Sequence, residues 1–407
     1  MEDSKNFSNK VSFEKNALMP QEEKLEQKKK RKNLIIGVPK ESSPNENRVS
    51  LAPHAVELLV KHNHRVIIEK DAGLSANFKD HEYSELGGEI VKSAKEVFQA
   101  DLIIKVAPLS KKEIGMLKGK QLIISSLQIS TQDQEYFGLL QQKKVTALAY
   151  EFIKNRNNMV FPITESMSEI SGSTSILIAA EYLSNVNNGK GEMLGGISGV
   201  SPTDIVVLGA TTAGEFAVRT ALGLGATVKV YDQSIARLRQ LQRDLGQQVF
   251  TSIIQPRVVK KALKTADVVI GALPMEEEVP FLVSEEAVMN MKPNSVIIDI
   301  GIDHGGCFET SQVSTHKQPT FKKYNVVHYC VPNIPSRVAR TASYALSNIF
   351  GPMLLEVGEC GSLRQLIREH KGIRNGVYLY NGILTKERIG RRFGIDSRDI
   401  DLLMAAF

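Results

Sequence analysis

The residues from Ser201 to Asp232 have the types and spacing of a dinucleotide-binding unit. The apolar run from Ile205 to Leu208 is typical of a buried parallel strand, and Gly209 allows a tight turn into a helix. The N–H groups and dipole at the start of such a helix attract a pyrophosphate. Asp232 follows at roughly the twenty-residue distance where a carboxylate accepts hydrogen bonds from an adenosine ribose and repels a 2′-phosphate. This pattern predicts NAD rather than NADP.

One position of the glycine turn departs from the usual pattern. Thr211 stands where a second glycine lets the backbone approach the phosphates, so we expect weaker binding or a differently bent loop. A Rossmann-like domain that binds no nucleotide is the alternative interpretation of the same residues. The residues of the turn and helix start that we expect at the cofactor are Gly209, Thr211, Thr212, Ala213 and Gly214.

The size and composition of the chain indicate a globular protein of two domains. With 407 residues, of which 42% are hydrophobic and 24% charged, it can bury substantial cores. The formal net charge of +6 is inflated by basic residues in a polar N-terminal arm, residues 1–33. This arm lacks the interleaved aromatic residues or the apolar face of a nucleic-acid or membrane-binding segment, so we expect neither partner.

The cysteines and the lack of long apolar segments indicate in which cellular compartment the protein lies. The three cysteines are widely spaced and form no Cys/His cluster, so we predict neither a disulfide framework nor a zinc site. Among the histidines, only His62 and His64 have metal-like spacing, and they lie in a loop before a strand. No stretch approaches about twenty uninterrupted apolar residues, and the start of the chain has no apolar signal region. We therefore expect a cytoplasmic protein without bound metal.

Short apolar strands alternate with amphipathic helices along the chain, which predicts an α/β fold of two Rossmann-like domains with doubly wound parallel sheets. A long helix is expected from Met167 to Asn185, between a sheet of five strands and a sheet of six. The predicted strands are Leu34–Val38, Arg65–Glu69, Asp101–Val106, Gln121–Ser125 and Val145–Ala149 in the first sheet, and Ile205–Leu208, the strand ending at Asp232, Gln248–Ile253, Asp267–Ile270, Ser295–Ile300 and Val326–Cys330 in the second.

The C-terminal stretch determines how the domains are divided. From Arg340 onwards it is helical in pattern, and we expect it to return to the first domain, which is then discontinuous in sequence. The predicted domains are the flexible arm 1–33, a substrate domain of residues 34–164 plus 340–407, and an NAD-binding domain of residues 165–339.

Several segments together resemble the alanine dehydrogenases, over nearly the whole chain from Ile35 onwards. The two-domain fold of that family also occurs in the nicotinamide nucleotide transhydrogenase α subunit. The resemblance implies reversible oxidative deamination of L-alanine to pyruvate and ammonium, with hydride passing to NAD between the domains, and a homo-oligomer. Besides the nucleotide unit, the segments that carry it are Gly37–Glu41, Arg48–Pro53, Met167–Glu169, Leu194–Gly199, Ile298–Cys307, Ser314–His316 and His328–Asn333.

The resemblance also implies roles for single residues. Arg48 matches the arginine that holds the substrate carboxylate, a role for which a planar guanidinium is suited, although an arginine exposed in a turn is the alternative. Asp303 matches the active-site aspartate, and Arg237 matches a basic residue on the adenosine side of NAD. The positions expected around the nicotinamide and substrate are Met167, Ser168, Asp299, Ile300 and Asn333. Taken singly, Met167 and Ile300 are also typical of core residues.

Two proton-carrying positions of the family are changed in this chain. Ala107 stands where the family has a lysine that binds the substrate carbonyl, and Gln128 stands where it has an acid/base histidine. Neither side chain titrates near neutrality, although the Gln128 amide could hydrogen-bond a substrate. Lys105 lies two residues before Ala107, and on a strand both would point to one face, so Lys105 is either a substitute amine or a structural residue.

These changes leave different functions open. The chain is either an NAD-dependent alanine dehydrogenase with an altered site that uses Asp303, Gln128 and Lys105, or a non-catalytic relative that binds a nucleotide or amino acid. A third hypothesis is secondary-amine formation between an amino acid and a keto acid on the same fold. A loop with three glutamates, residues 276–278, replaces an apolar loop of the family, and we expect these side chains to point to solvent.

Overall fold

The structure, a computed structural model, describes residues 33–155, 160–274, 283–361 and 363–406. The basic arm before residue 33 and the three-glutamate loop therefore lie outside the described residues. The chain forms two α/β units, each built on a mostly parallel sheet. In the described residues no helix is both long and apolar enough to cross a membrane.

The first sheet has eight strands in the order β15-β14-β6-β5-β4-β1-β2-β3. The strands β1 to β6 pair in parallel, whereas β14 pairs antiparallel with both β6 and β15. The strands β14 and β15 come from the C-terminal part of the chain, which confirms that the first domain is discontinuous in sequence. The strand bounds are β1 Ile35–Val38, β2 Arg65–Glu69, β3 Glu89–Val91, β4 Leu102–Ile104, β5 Leu122–Ser125, β6 Thr146–Ala149, β14 Val377–Tyr380 and β15 Ile383–Leu384.

The second sheet has seven strands in the order β12-β13-β11-β10-β7-β8-β9. All pair in parallel except the edge strand β12, which runs antiparallel to β13. The chain order reverses between β10 and β7, the point at which open α/β sheets bind ligands. The strand bounds are β7 Asp204–Leu208, β8 Thr227–Asp232, β9 Phe250–Ile253, β10 Val268–Gly271, β11 Val296–Asp299, β12 Thr320–Lys323 and β13 Val326–Tyr329.

Helices cover both faces of each sheet, and buried apolar clusters lie on either side. Two long helices, α6 and α11, join the units: Met167 of α6 packs on the first core, while Ile176 of the same helix is buried in the second. The helix bounds are α1 Pro53–Lys61, α2 Asp80–Glu85, α3 Ala94–Val97, α4 Lys111–Met116, α5 Gln134–Gln142, α6 Pro162–Leu183, α7 Thr212–Gly223, α8 Ile235–Leu245, α9 Pro256–Thr265, α10 Glu285–Met289, α11 Ala339–Glu359, α12 Leu363–Glu369, α13 Lys371–Gly376, α14 Glu387–Phe393 and α15 Ile400–Ala406.

The fold class expected from the sequence is confirmed, with more strands than predicted. The first sheet has eight strands rather than five, because β3 is only three residues long and because β14 and β15 lie in a stretch predicted to be helical. The second has seven rather than six, because the edge strand β12 has a single apolar residue, the half-buried Phe321. The domain bounds themselves stay predictions.

Candidate functional site

The carboxyl ends of the parallel strands in both sheets lead into the loops that carry the predicted site residues. Arg48 and Glu46 lie in the loop after β1, and both side chains are buried, with 7% and 2% of their surface exposed. Arg48 donates from Nε to Glu46 Oε1 (2.8 Å) and from Nη2 to Oε2 (2.6 Å). Burial alone lowers the pKa of Arg48, but Glu46 more than offsets this and holds the pKa above its usual range. Arg48 is thus a buried, charged guanidinium rather than an exposed one in a turn.

One edge of this guanidinium is free of carboxylate contacts. Nη1 of Arg48 lies 3.3 Å from Sδ of Met167, which is half-buried on α6. A thioether is a weak acceptor on a flexible side chain, so it can be displaced by a stronger anionic acceptor. The arrangement can therefore receive a small carboxylate at Nη1 while Glu46 fixes the other edge.

Asn333 and Asp303 approach this pair from the second sheet. Asn333, in the left-handed region with φ of +61°, donates from Nδ2 to Glu46 Oε2 (2.9 Å) and to the carbonyl oxygen of Asn45 (3.2 Å). Its backbone N–H donates to Asp303 Oδ1 (3.1 Å). Although Asp303 is open to water, desolvation by the crowded cleft raises the pKa of its carboxyl group. Arg48, Glu46, Asn333 and Asp303 thus form one polar cluster between the two units.

The strand β4 ends at Ile104, just before Lys105 and Ala107. Backbone hydrogen bonds to the β5 side nevertheless continue, from the N–H of Lys105 to the carbonyl oxygen of Ile124 (2.9 Å) and from the N–H of Ser126 to that of Val106 (3.1 Å). That both side chains point to one face stays a prediction. Nζ of Lys105 lies 3.1 Å from Oε1 of Glu113 and 3.4 Å from Oε2 of Glu41, and the lysine side chain is fully buried. This arrangement is that of a closed ion cluster, in which the amine already has carboxylate partners.

Glu41 lies beside the backbone of the residue that replaces the family lysine. It accepts hydrogen bonds from the N–H groups of Val106 (2.6 Å) and Ala107 (3.3 Å). Burial raises the pKa of Glu41 to about 7, against the opposing effect of Lys105. The sequence reasoning did not assign Glu41 a role, although its position directly after β1 places it at the same sheet edge.

Gln128 is exposed at the end of β5 and has a left-handed backbone with φ of +47°. Behind it lies the carboxylate of Glu151, whose Oε1 accepts from the N–H groups of Leu127 (2.7 Å) and Gln128 (3.3 Å). The other oxygen, Oε2, is buried and has no hydrogen-bond partner among the described residues. Burial raises the pKa of Glu151. This carboxyl group was also missed from sequence, and its position two residues after β6 was the available signal.

The turn after β7 fits a dinucleotide. Gly209 has φ of +109°, and a Cβ there would lie 2.1 Å from the carbonyl oxygen of Ala272, so the turn requires glycine. Thr211 is the N-cap of α7. Its hydroxyl donates to the carbonyl oxygen of Ala272 (2.8 Å) and accepts from the N–H of Gly214 (3.3 Å). The next N–H groups, of Thr212 and Ala213, have no intrahelical acceptor, as in the first turn of any helix. The Thr211 hydroxyl is therefore bonded within the protein.

Asp232 is fully buried at the end of β8. Its Oδ2 accepts from the N–H of Ala210 (2.7 Å), and its Oδ1 accepts from the N–H of Ser234 (2.7 Å) and from Nη2 of Arg237 (2.8 Å). The two residues predicted on the adenosine side are thus brought together as an ion pair. Both oxygens of Asp232 thus already accept hydrogen bonds from the protein.

The remaining predicted residues lie near the same strand ends. Ser168 and Ile300 are both half-buried, and Ile300 packs against the second core. Asp299 is fully buried and accepts from the N–H groups of Gly301 and Cys307, so it stabilises the loop after β11. Within the described residues no group of three His, Cys, Asp or Glu could hold a metal ion.

Comparisons with known proteins agree with this geometry. Residues 37–171 match the family described as "Alanine dehydrogenase/PNT, N-terminal domain", and residues 175–387 match the corresponding C-terminal domain. An alanine dehydrogenase of Methanococcus maripaludis is 40% identical over 88% of this chain and 96% of its own length. One of Bacillus subtilis is 38% identical over 89% and 96%.

Solved structures also show similarity to alanine dehydrogenase. An L-alanine dehydrogenase superposes with a TM-score of 0.83 at 33% identity, covering 88% of this chain and 98% of that one. A transhydrogenase from Sinorhizobium meliloti, at 24% identity, shares the fold with a TM-score of 0.73 over 86% and 98% of the two chains. The family domains, the relatives over most of the chain and the two-sheet architecture establish that this chain belongs to the alanine dehydrogenase/PNT family.

Proposed function

We propose that this protein is an NAD-dependent oxidoreductase that interconverts L-alanine with pyruvate and ammonium. The observation that carries the proposal is the cluster of Arg48, Glu46, Asn333 and Asp303 between the two units. Asp303 and Asn333 follow β11 and β13, at the same carboxyl edge of the second sheet as the glycine turn after β7. Relatives named alanine dehydrogenase at 38–40% identity support the same reaction.

The substrate carboxylate binds at Nη1 of Arg48, where it displaces the Met167 thioether. Glu46 holds the guanidinium by two charge-assisted hydrogen bonds, so the free edge has a fixed direction. Asn333 fixes Glu46 in turn through its amide. Binding energy is therefore used to orient the amino acid rather than to order the arginine.

The dinucleotide binds at Gly209, with its pyrophosphate at the N–H groups of Thr212 and Ala213. When bound, its nicotinamide ring supplies the acceptor for the hydride of the substrate Cα. Asp232 and Arg237 lie on the adenosine side, and NAD is proposed over NADP because Asp232 ends β8, where a carboxylate accepts from the ribose hydroxyls; this contact requires the ion pair with Arg237 to open.

In this proposal, carboxyl groups and solvent donate and accept the protons of the reaction. Asp303 is open to water, and the raised pKa of its carboxyl group makes it a stronger base toward the substrate than an ordinary aspartate. The exposed Gln128 amide hydrogen-bonds the amino or carbonyl group without titrating. Lys105 is engaged by Glu113 and Glu41, so its proposed catalytic role requires that ion cluster to open.

The alternative proposal is a catalytically impaired homologue that binds a nucleotide or an amino acid and has a regulatory role. It is favoured by Ala107 and Gln128, since loss of a positioned acid/base costs roughly 10²- to 10⁴-fold in rate. Both proposals use the same binding residues and differ in chemistry alone.

The test is calorimetric titration of the full chain with NADH, followed by nicotinamide absorbance in the presence of pyruvate and ammonium. Binding with oxidation that depends on both substrates supports the dehydrogenase. Binding without oxidation supports the alternative. Absence of NADH binding contradicts the dehydrogenase and favours a non-catalytic homologue. The Arg48→Ala variant should still bind NADH but should no longer oxidise it when pyruvate and ammonium are added.

We also propose a homo-oligomer in the cytoplasm. Three apolar side chains in the segment before β7 are more than half exposed: Met193 (62%), Ile197 (62%) and Val200 (60%). Solvent-exposed apolar side chains close together in a segment are typical of an assembly surface. Light scattering after size-exclusion chromatography tests this, and a monomer at all concentrations contradicts it.

A further inference from the structure

A cavity of about 510 Å³ lies at the amino ends of the first sheet, away from the cleft. Its wall includes Leu34, Asp101 and Gln121, each directly before a strand, and Thr146, which begins β6. The loops of the cleft follow the opposite, carboxyl ends of those strands. These strands have three or four residues, which at about 3.3 Å each separate the two edges by roughly 10–13 Å. We call this space the basal cavity.

The charges around the basal cavity are mostly positive. Lys118, Lys120 and Arg364 line it, and Asp101 is the one carboxylate among its described lining residues. Asp101 accepts from Nζ of Lys118 at 2.8 Å, so it neutralises one cation. Lys120 and Arg364 contribute positive charge that no lining carboxylate balances. Such a surface attracts small anions.

Arg364 gives an independent indication of a missing acceptor. Its Nε is buried and has no hydrogen-bond partner among the described residues. A buried donor of a charged group is rarely left unpaired, because desolvation without a partner is unfavourable. A guanidinium presents donors in a fixed fork that matches the oxygens of carboxylates and phosphates.

Lys120 is held at the rim in an unusual conformation. Its backbone is left-handed with φ of +54°, directly after Gly119 with φ of +95°, and its N–H donates to the carbonyl oxygen of Lys143 (2.9 Å). Asn381, also lining the cavity, has φ of +50°. These turns fix the rim of the cavity, and the volume lies within the usual range for small-molecule sites, about 300–1,000 Å³.

We propose that the basal cavity binds a small organic anion carrying a phosphate or carboxylate group, at a site separate from the substrate and dinucleotide. Lys120 and Arg364 are its principal ligands. Because the anion binds the native fold and not the unfolded chain, it stabilises the protein in proportion to its occupancy. The site does not depend on whether the cleft turns over alanine.

The test uses inorganic phosphate and citrate as probes in calorimetry and thermal unfolding of the full chain, at constant ionic strength. The site variants are Lys120→Asn, chosen because asparagine tolerates a left-handed backbone, and Arg364→Gln. Lys112→Gln is the matched control, an exposed lysine of α4 outside the cavity. We expect at least one probe to bind saturably and raise the melting temperature, each site variant to weaken binding about tenfold or more, and the control to match the wild type.

The two probes distinguish a phosphate ligand from a carboxylate ligand. Binding of phosphate alone assigns a phosphate ligand, and binding of citrate alone assigns a carboxylate. Phosphate could also bind at the glycine turn after β7, but that binding is unaffected by Lys120→Asn or Arg364→Gln. Binding that persists unchanged in both variants, or that falls equally in the Lys112→Gln control, overturns the proposal, as does the absence of saturable binding.

Discussion

Replacing Gln128 by histidine should raise the turnover of alanine if the missing acid/base limits the rate. The exposed, left-handed position accepts histidine, which is enriched in that region. Because residue 128 is open to water, we expect a histidine pKa close to the ordinary value of about 6.5, so most of the side chain is neutral at pH 7. A positioned acid/base contributes roughly 10²- to 10⁴-fold, and with Ala107 unchanged we expect the lower end, about 100-fold or about 2.7 kcal/mol of transition-state stabilisation.

The assay is kcat/KM for alanine oxidation followed by nicotinamide absorbance between pH 5 and 9. Besides the higher rate, Gln128→His should introduce a fall in rate below roughly pH 6.5, since the base must be neutral to accept a proton. The control is Gln142→His, the same change at an exposed position at the end of α5, on the side of the basal cavity. It should leave both rate and pH profile unchanged.

Two outcomes would refute this reasoning. One is a Gln128→His variant that binds NADH as the wild type does but shows neither a higher rate nor a new acidic limb. The other is a wild-type rate already typical of an efficient dehydrogenase, because the lysine and histidine would then be dispensable.

Three further predictions concern binding and stability. Arg48→Lys keeps the charge but loses the paired hydrogen bonds to Glu46, so KM for pyruvate should rise about tenfold or more. An unchanged KM would show that Arg48 does not bind the substrate. Gly209→Ala places a Cβ 2.1 Å from the Ala272 carbonyl oxygen and should abolish calorimetric NADH binding, and retained affinity would contradict the proposed turn. Burial lowers the pKa of His328 from 6.5 to about 4, so the free energy of unfolding should fall by up to about 3 kcal/mol as pH decreases through that range, because the unfolded chain binds the proton more tightly. Urea unfolding at several pH values should show a smaller fall in His328→Gln; an identical slope would assign the pH dependence to other groups.

Local pattern was enough to predict much of the fold. The strand Arg65–Glu69 has the predicted bounds, because a run of β-branched residues is a local signal. β14 and β15 were missed because they are short strands between helices, and β14 joins the sheet by pairing with β6, more than 200 residues earlier in the chain. Such long-range pairing leaves no local periodicity to detect.

The site was predictable in its residue types but not in their pairing. Arg48 and Asn333 were identified from motifs, yet Glu46, which connects them, was not, because only the folded chain brings residues 46 and 333 together. The environment of Lys105 was not predicted either, since it depends on contacts with Glu41 and with Glu113 of the next helix.

The return of the C-terminal chain to the first sheet has a consequence for synthesis on the ribosome. The strands β14 and β15 form the far edge of that sheet, so β6 has no partner on that side until residues 377–384 have emerged. The second unit, encoded between the two parts, can fold while the first still presents an open strand edge. An unpaired edge of this kind can pair with other chains. Truncation before β14 should therefore yield aggregates rather than a shortened, active protein.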